Sequence, residues 1–144
     1  MLIERRKFLE SACKACLLAG AGVLISELTA CSPSFQVVNL PVTDNAVHLP
    51  LSSFSDKAMQ LVRPQGWFYD IAVRKLSADQ YEALLLECTH QKNQLMVTGK
   101  TFFCTLHGSR FDMNGSVLKG PAERPLKKYT TSQSGDQLVI QINS

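Results

Sequence analysis

The chain has 144 residues, enough for one domain with short appendages. An apolar share of 45% and a charged share of 19% exclude an intrinsically disordered polymer. Fifteen basic against twelve acidic residues leave a formal charge of +3, and no Lys/Arg run interleaved with aromatics appears, which sets nucleic-acid binding aside. The five Cys are Cys13, Cys16, Cys31, Cys88 and Cys104, an odd and uneven set that makes a poor disulfide framework. Three fall in the first 31 residues and two in the body, so the two groups have separate jobs.

The amino terminus begins with a basic segment, Arg5-Arg6-Lys7, followed by twelve mainly apolar residues from Ala15 to Ser26. A positive start, a short apolar run and small residues before a boundary describe an export signal over residues 1–30. A hydrocarbon core needs about 20 residues of helix, which makes an uncleaved anchor the weaker reading. Arg5-Arg6-x-Phe8-Leu9 resembles the twin-arginine signal, with Glu4 and Glu10 departing from its usual flanks. Leu28-Thr29-Ala30-Cys31 resembles a bacterial lipobox, which implies an acylated Cys31 as the mature first residue, tethered to the periplasmic or outer face of a membrane. Cys13 and Cys16 form a CxxC inside this signal and receive no function.

After a tether over residues 31–45, the body reads as an all-β sandwich or barrel. Expected strands are Phe35–Leu40, Ala46–Leu49, Ala58–Val62, Trp67–Val73, Tyr81–Glu87, Gln94–Val97, Thr101–Phe103, Ser116–Leu118, Leu126–Thr131 and Gln137–Ile142. Asn114-Gly115 and Ser134-Gly135-Asp136 are turn signals. Only Ser77–Leu86 has a competing helical reading, as one turn entered at Leu76-Ser77-Ala78-Asp79 and running into a strand. Many short strands at close spacing indicate a sandwich or barrel.

Two ligand pairs carry the chemistry. Cys88-Thr89-His90 and Cys104-Thr105-Leu106-His107 lie sixteen residues apart, Cys to Cys, each just after an apolar strand. Thiolates with imidazoles select zinc, copper or iron–sulfur over calcium or magnesium. Zinc fingers usually pair Cys with Cys and His with His. Here each loop offers one of each, so each loop can give its Cys to one metal and its His to another. His48 has no partner pattern and reads as a surface or strand residue; Asp79, Glu82 and Glu87 form no convincing acid/base pair.

The wider pattern, CTH, then CTLHGSRFD, then GPAERPLKKY, resembles the Rieske family over about Val47 to Ile142. That resemblance implies a Rieske domain over 46–144 with antiparallel β layers and a [2Fe–2S] cluster at one tip. Cys88 and Cys104 would ligate one iron, His90 and His107 the exposed one, and Gly120-Pro121 would form a covering loop. Ser109 matches the serine whose hydroxyl points at a bridging sulfide. High-potential members carry a further Cys in each ligand loop, joined as a disulfide; those positions are Asn93 and Leu106 here. Phe111 stands where they have a Tyr that donates to a ligand sulfur.

The resemblance implies one-electron transfer in a membrane-associated quinol:cytochrome c reductase-like or other respiratory complex. Its partners would be a quinol-oxidising or catalytic subunit and a cytochrome-like acceptor. Alternatives are the ferredoxin of an aromatic-ring dioxygenase, the small subunit of an arsenite oxidase-like molybdenum enzyme, and a zinc-binding structural module. Lys92 and Arg110, beside the ligands, suit an acidic partner or a solvated surface equally. The chain shows no substrate pocket of its own and reads as the electron-transfer subunit of an oxidoreductase, which leaves open whether it counts as an enzyme.

Overall fold

The computed structural model describes residues 35–142, so the expectations for the signal and for Cys31 fall outside the described residues. Twelve strands and one short 3-10 helix, η1 (Leu51–Phe54), make up the described part. Eight strands form one sheet: β1 (Val37–Leu40), β2 (Val42–Thr43), β3 (Ala46–Pro50), β4 (Met59–Pro64), β5 (Ile71–Lys75), β6 (Tyr81–Leu85), β11 (Lys128–Ser134) and β12 (Gln137–Gln141). Their order is β1-β4-β5-β6-β11-β12-β3-β2, antiparallel except for β1 on β4. β11 pairs with β6 through Lys128 and Tyr129, then with β12 from Thr130 onward, which turns the sheet on itself toward a barrel.

The second sheet is a meander of β7 (Met96–Thr98), β8 (Thr101–Phe103), β9 (Arg110–Asp112) and β10 (Val117–Lys119), every neighbouring pair antiparallel. It covers the outer face of the barrel wall. Val62, Ile71, Val73, Ala83 and Leu85 point into the barrel core with Leu138 and Ile140. Their neighbours Leu61, Ala72 and Leu84 face outward, against Phe102 and Phe111 of the meander and Leu95 just before it. Because both faces of β4–β6 are covered, these strands read as continuous apolar runs rather than as a strict alternation. Each fully buried Leu or Phe in that seam contributes about 1.5–3 kcal/mol, so the meander is fixed to the barrel by apolar burial. Arg74 adds a polar link, donating to Glu82 at 2.5 Å and to Asn114 at 2.7 Å.

Several expectations change. Val37–Leu40, expected as a strand though counted with the tether over 31–45, and Val42–Thr43, read only as tether, both pair into the barrel, so the folded domain extends at least to Val37. The helical alternative at Ser77 fails: residues 77–79 are a bend and Tyr81 enters β6 directly. The strand expected from Trp67 starts only at Ile71, after a turn at Gly66. Strands β2 and β9 and η1 have no counterpart in the sequence reading. β2 and β3 are joined by Asp44-Asn45, both with positive φ (51° and 57°), the two-residue hairpin turn that Asn and Asp tolerate. Asn114-Gly115 does form a turn: Asp112 Oδ1 accepts the N–H groups of Asn114 and Ser116. Gly115 has φ +83°, and a β-carbon there would meet Leu84 Cδ2 at 3.1 Å and Leu126 Cβ at 3.2 Å. Among the described residues no helix is long and apolar enough to cross a membrane.

Candidate metal centre

Chain direction alone brings three segments to one end of the meander. β6 runs toward that end, β7 away from it, β8 back and β9 away again, and β10 returns. The links β6–β7 (88–93) and β8–β9 (104–109), and the stretch after β10 (from Gly120), therefore share one tip.

The two ligand loops are built alike. Glu87 bridges Gln94, and Phe103 pairs with Arg110, so each loop has six residues between its last paired positions. Cys88 N–H donates to Asn93 O at 2.8 Å, and Cys104 N–H donates to Ser109 O at 2.9 Å. In each loop the first residue, the Cys, is thus locked to the sixth. Gly108 N–H also donates to Cys104 O at 3.0 Å, and φ +80° at Gly108 is a left-handed conformation that suits glycine.

Burial separates the donors. Cys88 and Cys104 are 1% exposed, with free thiols, and belong to the apolar cluster around Phe102 and Phe111. His90 and His107 are exposed, their rings edge-to-face at 5.0 Å between centroids. All four expected ligands therefore gather at one tip, sulfurs inward and imidazoles outward. Burial pushes the Cys104 thiol up, but the N–H groups of Leu106 and His107, the Cys88 thiol and the Asn93 amide outweigh it and bring it below its ordinary value. His48 lies exposed on β3, in the barrel sheet.

The third segment ties the loops together. Ser109 is fully buried and its Oγ accepts the N–H of Ala122 at 3.0 Å, which leaves the hydroxyl proton for a second partner. Thr89 Oγ1 donates to Arg124 O at 2.6 Å. Gly120-Pro121, a cis peptide, precedes these anchors, and Pro121 lines a groove with His90, Thr89 and Arg124.

Further supports escaped the sequence reading. Tyr69 Oη donates to Lys92 O at 2.7 Å. Buried Asp70 is held by Arg63 Nε at 2.7 Å and by a two-way contact with the Gln94 side chain. Asn93 Nδ2 lies 3.7 Å from Cys104 Sγ. One signal for Asn93 was in the sequence: it follows Cys88 by five residues, as Ser109 follows Cys104.

The sequence profile of the Rieske [2Fe-2S] domain matches residues 52–130, more than half of the 144 residues. The chain belongs to the Rieske [2Fe–2S] family. Over 55 residues it is 50% identical to cytochrome b6-f complex iron-sulfur subunit 2 of Trichormus variabilis, covering 38% of this chain and 29% of that one. Over 39 residues it is 36% identical to the cytochrome b6-f complex iron-sulfur subunit of Chlorobaculum thiosulfatiphilum, covering 27% and 22%. The matches thus span less than a third of the length of these curated relatives. The crystal structure of the cyanobacterial plasma membrane Rieske protein PetC3 from Synechocystis PCC 6803 aligns with a TM-score of 0.52 at 28% identity, over 63% of this chain and 93% of that one. The cofactor is accordingly a [2Fe–2S] cluster of the Rieske type, and the chain is an electron-transfer protein related to the cytochrome b6-f iron–sulfur subunits.

The donors present fit that group. Among the described residues no three His, Cys, Asp or Glu side chains gather as a single metal ion would need. A two-iron cluster asks for only two protein donors per iron, which the paired sulfurs and paired imidazoles offer. The Ser109 anchor yields a first prediction. Ser109→Ala leaves the buried Ala122 N–H without its acceptor, so the denaturant midpoint of the holoprotein should fall by the equivalent of about 1–3 kcal/mol. An unchanged midpoint would mean that the covering segment is held some other way.

Proposed function

We propose that Cys88 and Cys104 hold one iron and His90 and His107 the other, and that the chain is the one-electron carrier between a membrane quinol-oxidising or catalytic subunit and a cytochrome-like acceptor. The observation that carries this reading is the convergence of two buried thiols and two exposed imidazoles at one tip. The likeness to cytochrome b6-f iron–sulfur subunits supports the quinol side.

The cluster supplies a one-electron redox change; the protein's residues decide who reaches it. The apolar cluster of Phe102, Phe111 and Leu95 keeps water from the sulfurs, while the imidazole edges face outward, where a partner docks. Ser109, its Oγ already an acceptor for the Ala122 N–H, would have its proton free for a cluster sulfur, and Phe111 offers no hydroxyl. Hydrogen bonds to sulfur favour the more negative reduced state, so each one raises the potential.

Replacing Cys88 with Ala should remove both the visible absorption and the reduced-state EPR signal from the purified protein. A retained Rieske signal would sink the ligand assignment. The midpoint should lie below about +200 mV, in a family range of about −150 to +300 mV. Phe111→Tyr should raise it and Ser109→Ala lower it, each by tens of millivolts, because ~1.4 kcal/mol corresponds to ~59 mV for one electron. Equal signs in film voltammetry at fixed pH would contradict the proposed roles.

The export and lipid reading rests on the lipobox resemblance at Leu28-Thr29-Ala30-Cys31. Mass spectrometry of the membrane-extracted protein should find an acylated Cys31 as first residue. A mature chain that still begins at Met1 would favour the uncleaved anchor instead.

A further inference from the structure

Asn93 occupies a position that the electron-transfer reading leaves without a role. Its backbone carbonyl accepts Cys88 N–H at 2.8 Å and so closes the first ligand loop. Its side chain points the other way, across to the second loop, with Nδ2 3.7 Å from Cys104 Sγ and 3.2 Å from Gln94 O. An amide nitrogen carries two hydrogens, so both contacts are served at once. The orientation of the amide is also determined. Rotating it by half a turn would set Oδ1 against a carbonyl oxygen and a thiolate, both of which need a donor.

We propose that Asn93 is a redox-tuning residue: its side-chain amide donates a hydrogen bond to the Cys104 sulfur, linking the two ligand loops and stabilising the reduced cluster. The sulfur it reaches is 1% exposed, among Phe102, Phe111 and Leu95. A fixed dipole is worth more there than at a solvated site, because little water competes for the lone pair. The Leu106 and His107 N–H groups already point at the same sulfur. Asn93 adds the donor that comes from the opposite loop, so the link forms only when both loops are closed. Reduction of a bound cluster would add negative charge beside the thiolates, and an N–H aimed at the Cys104 sulfur would favour that state. Removing it should shift the equilibrium toward the oxidised form.

The inference rests on the ligand assignment proposed above, and the test separates the two. Full-length holoprotein would be prepared as wild type, Asn93→Leu and Asn93→Asp, both close in size to Asn and both without the amide. Midpoints would come from film voltammetry at one pH, with the reduced-state EPR spectrum and the Fe–S(Cys) stretching frequency by resonance Raman recorded on each. The expected result is a Rieske EPR signal in all three, with both variants easier to oxidise. The reduced-to-oxidised ratio should fall by between twofold and tenfold, the latter being ~59 mV for one electron. Asn93→Asp should show the larger drop, since it also adds negative charge. The Fe–S(Cys) frequency should change in both, a readout that loss of packing alone does not move.

An Asn93→Leu midpoint and stretching frequency equal to wild type, with the EPR signal intact, would overturn the proposal and leave the ligand assignment standing. Wild-type protein without a Rieske signal would overturn both. Failure of both variants to hold a cluster that wild type holds would show that Asn93 serves loop closure and not the sulfur's charge, which also overturns the proposal. If only Asn93→Leu fails to load, the Fe–S(Cys) frequency of Asn93→Asp decides, and a value equal to wild type overturns the proposal.

Discussion

The arrangement of this protein depends on the parity of its chain reversals. Each antiparallel step in β6–β10 sends the chain back the way it came, so loops two reversals apart emerge at the same end. That places residues 88–93, 104–109 and the stretch after Lys119 together before any side chain is considered. A meander with one strand more or one fewer between the Cys88 and Cys104 loops would put the thiols at opposite ends. The apolar seam of Leu84, Leu95, Phe102 and Phe111 then fixes this meander to the barrel and fills the space beneath the tip.

Burial divides the four donors by chemistry. Cys88 and Cys104, just after the strands that reach the tip, are themselves buried against Leu95, Phe102 and Phe111, so the sulfurs have an apolar floor. The imidazoles of His90 and His107 follow two and three residues later, where the loops have left the floor and face solvent. A cluster held by these four donors, as proposed, would be shielded by the buried thiols and reached past the exposed imidazoles. That asymmetry follows from loop geometry and needs no pocket.

Hydrogen bonds complete what burial begins. Both loops close with the same Cys N–H to carbonyl contact, and the segment from Ala122 to Arg124 ties into each loop once, through Ser109 and through Thr89. Behind the first loop, Asp70 is buried yet satisfied by Arg63 and Gln94, which anchors the base of that loop to the barrel. Asn93 and Leu106 stand where a loop disulfide would need cysteines, and the Asn93–Cys104 contact spans the same two loops without a covalent bond. Coupling between loops is thereby kept in a form that also reaches a sulfur.

The four ligand candidates were legible in the residues because mixed Cys/His pairs at short spacing are rare outside metal sites, and Cys-Thr-Leu-His-Gly-Ser is specific. The strand Thr101–Phe103 was legible as a β-branched and aromatic run after Gly99, and Ala46–Leu49 as an apolar alternation between Asn45 and Pro50. β9 was not legible, because three residues, Arg110-Phe111-Asp112, carry only one apolar side chain and become a strand only by pairing with β8 and β10. β2 was hidden likewise, since Val42-Thr43 is exposed and ordered by its hairpin with β3. The roles of Asn93, Thr89, Tyr69 and Asp70 were also out of reach, because they rest on partners in other elements, 7 to 35 residues away. The sequence by itself determined which atoms can bind metal and which turns are possible, since those follow from side-chain chemistry and local backbone preference. Only the tertiary structure decided which thiols are buried, which imidazoles face outward and which amide reaches a sulfur, because those depend on strand pairing between residues far apart in the chain.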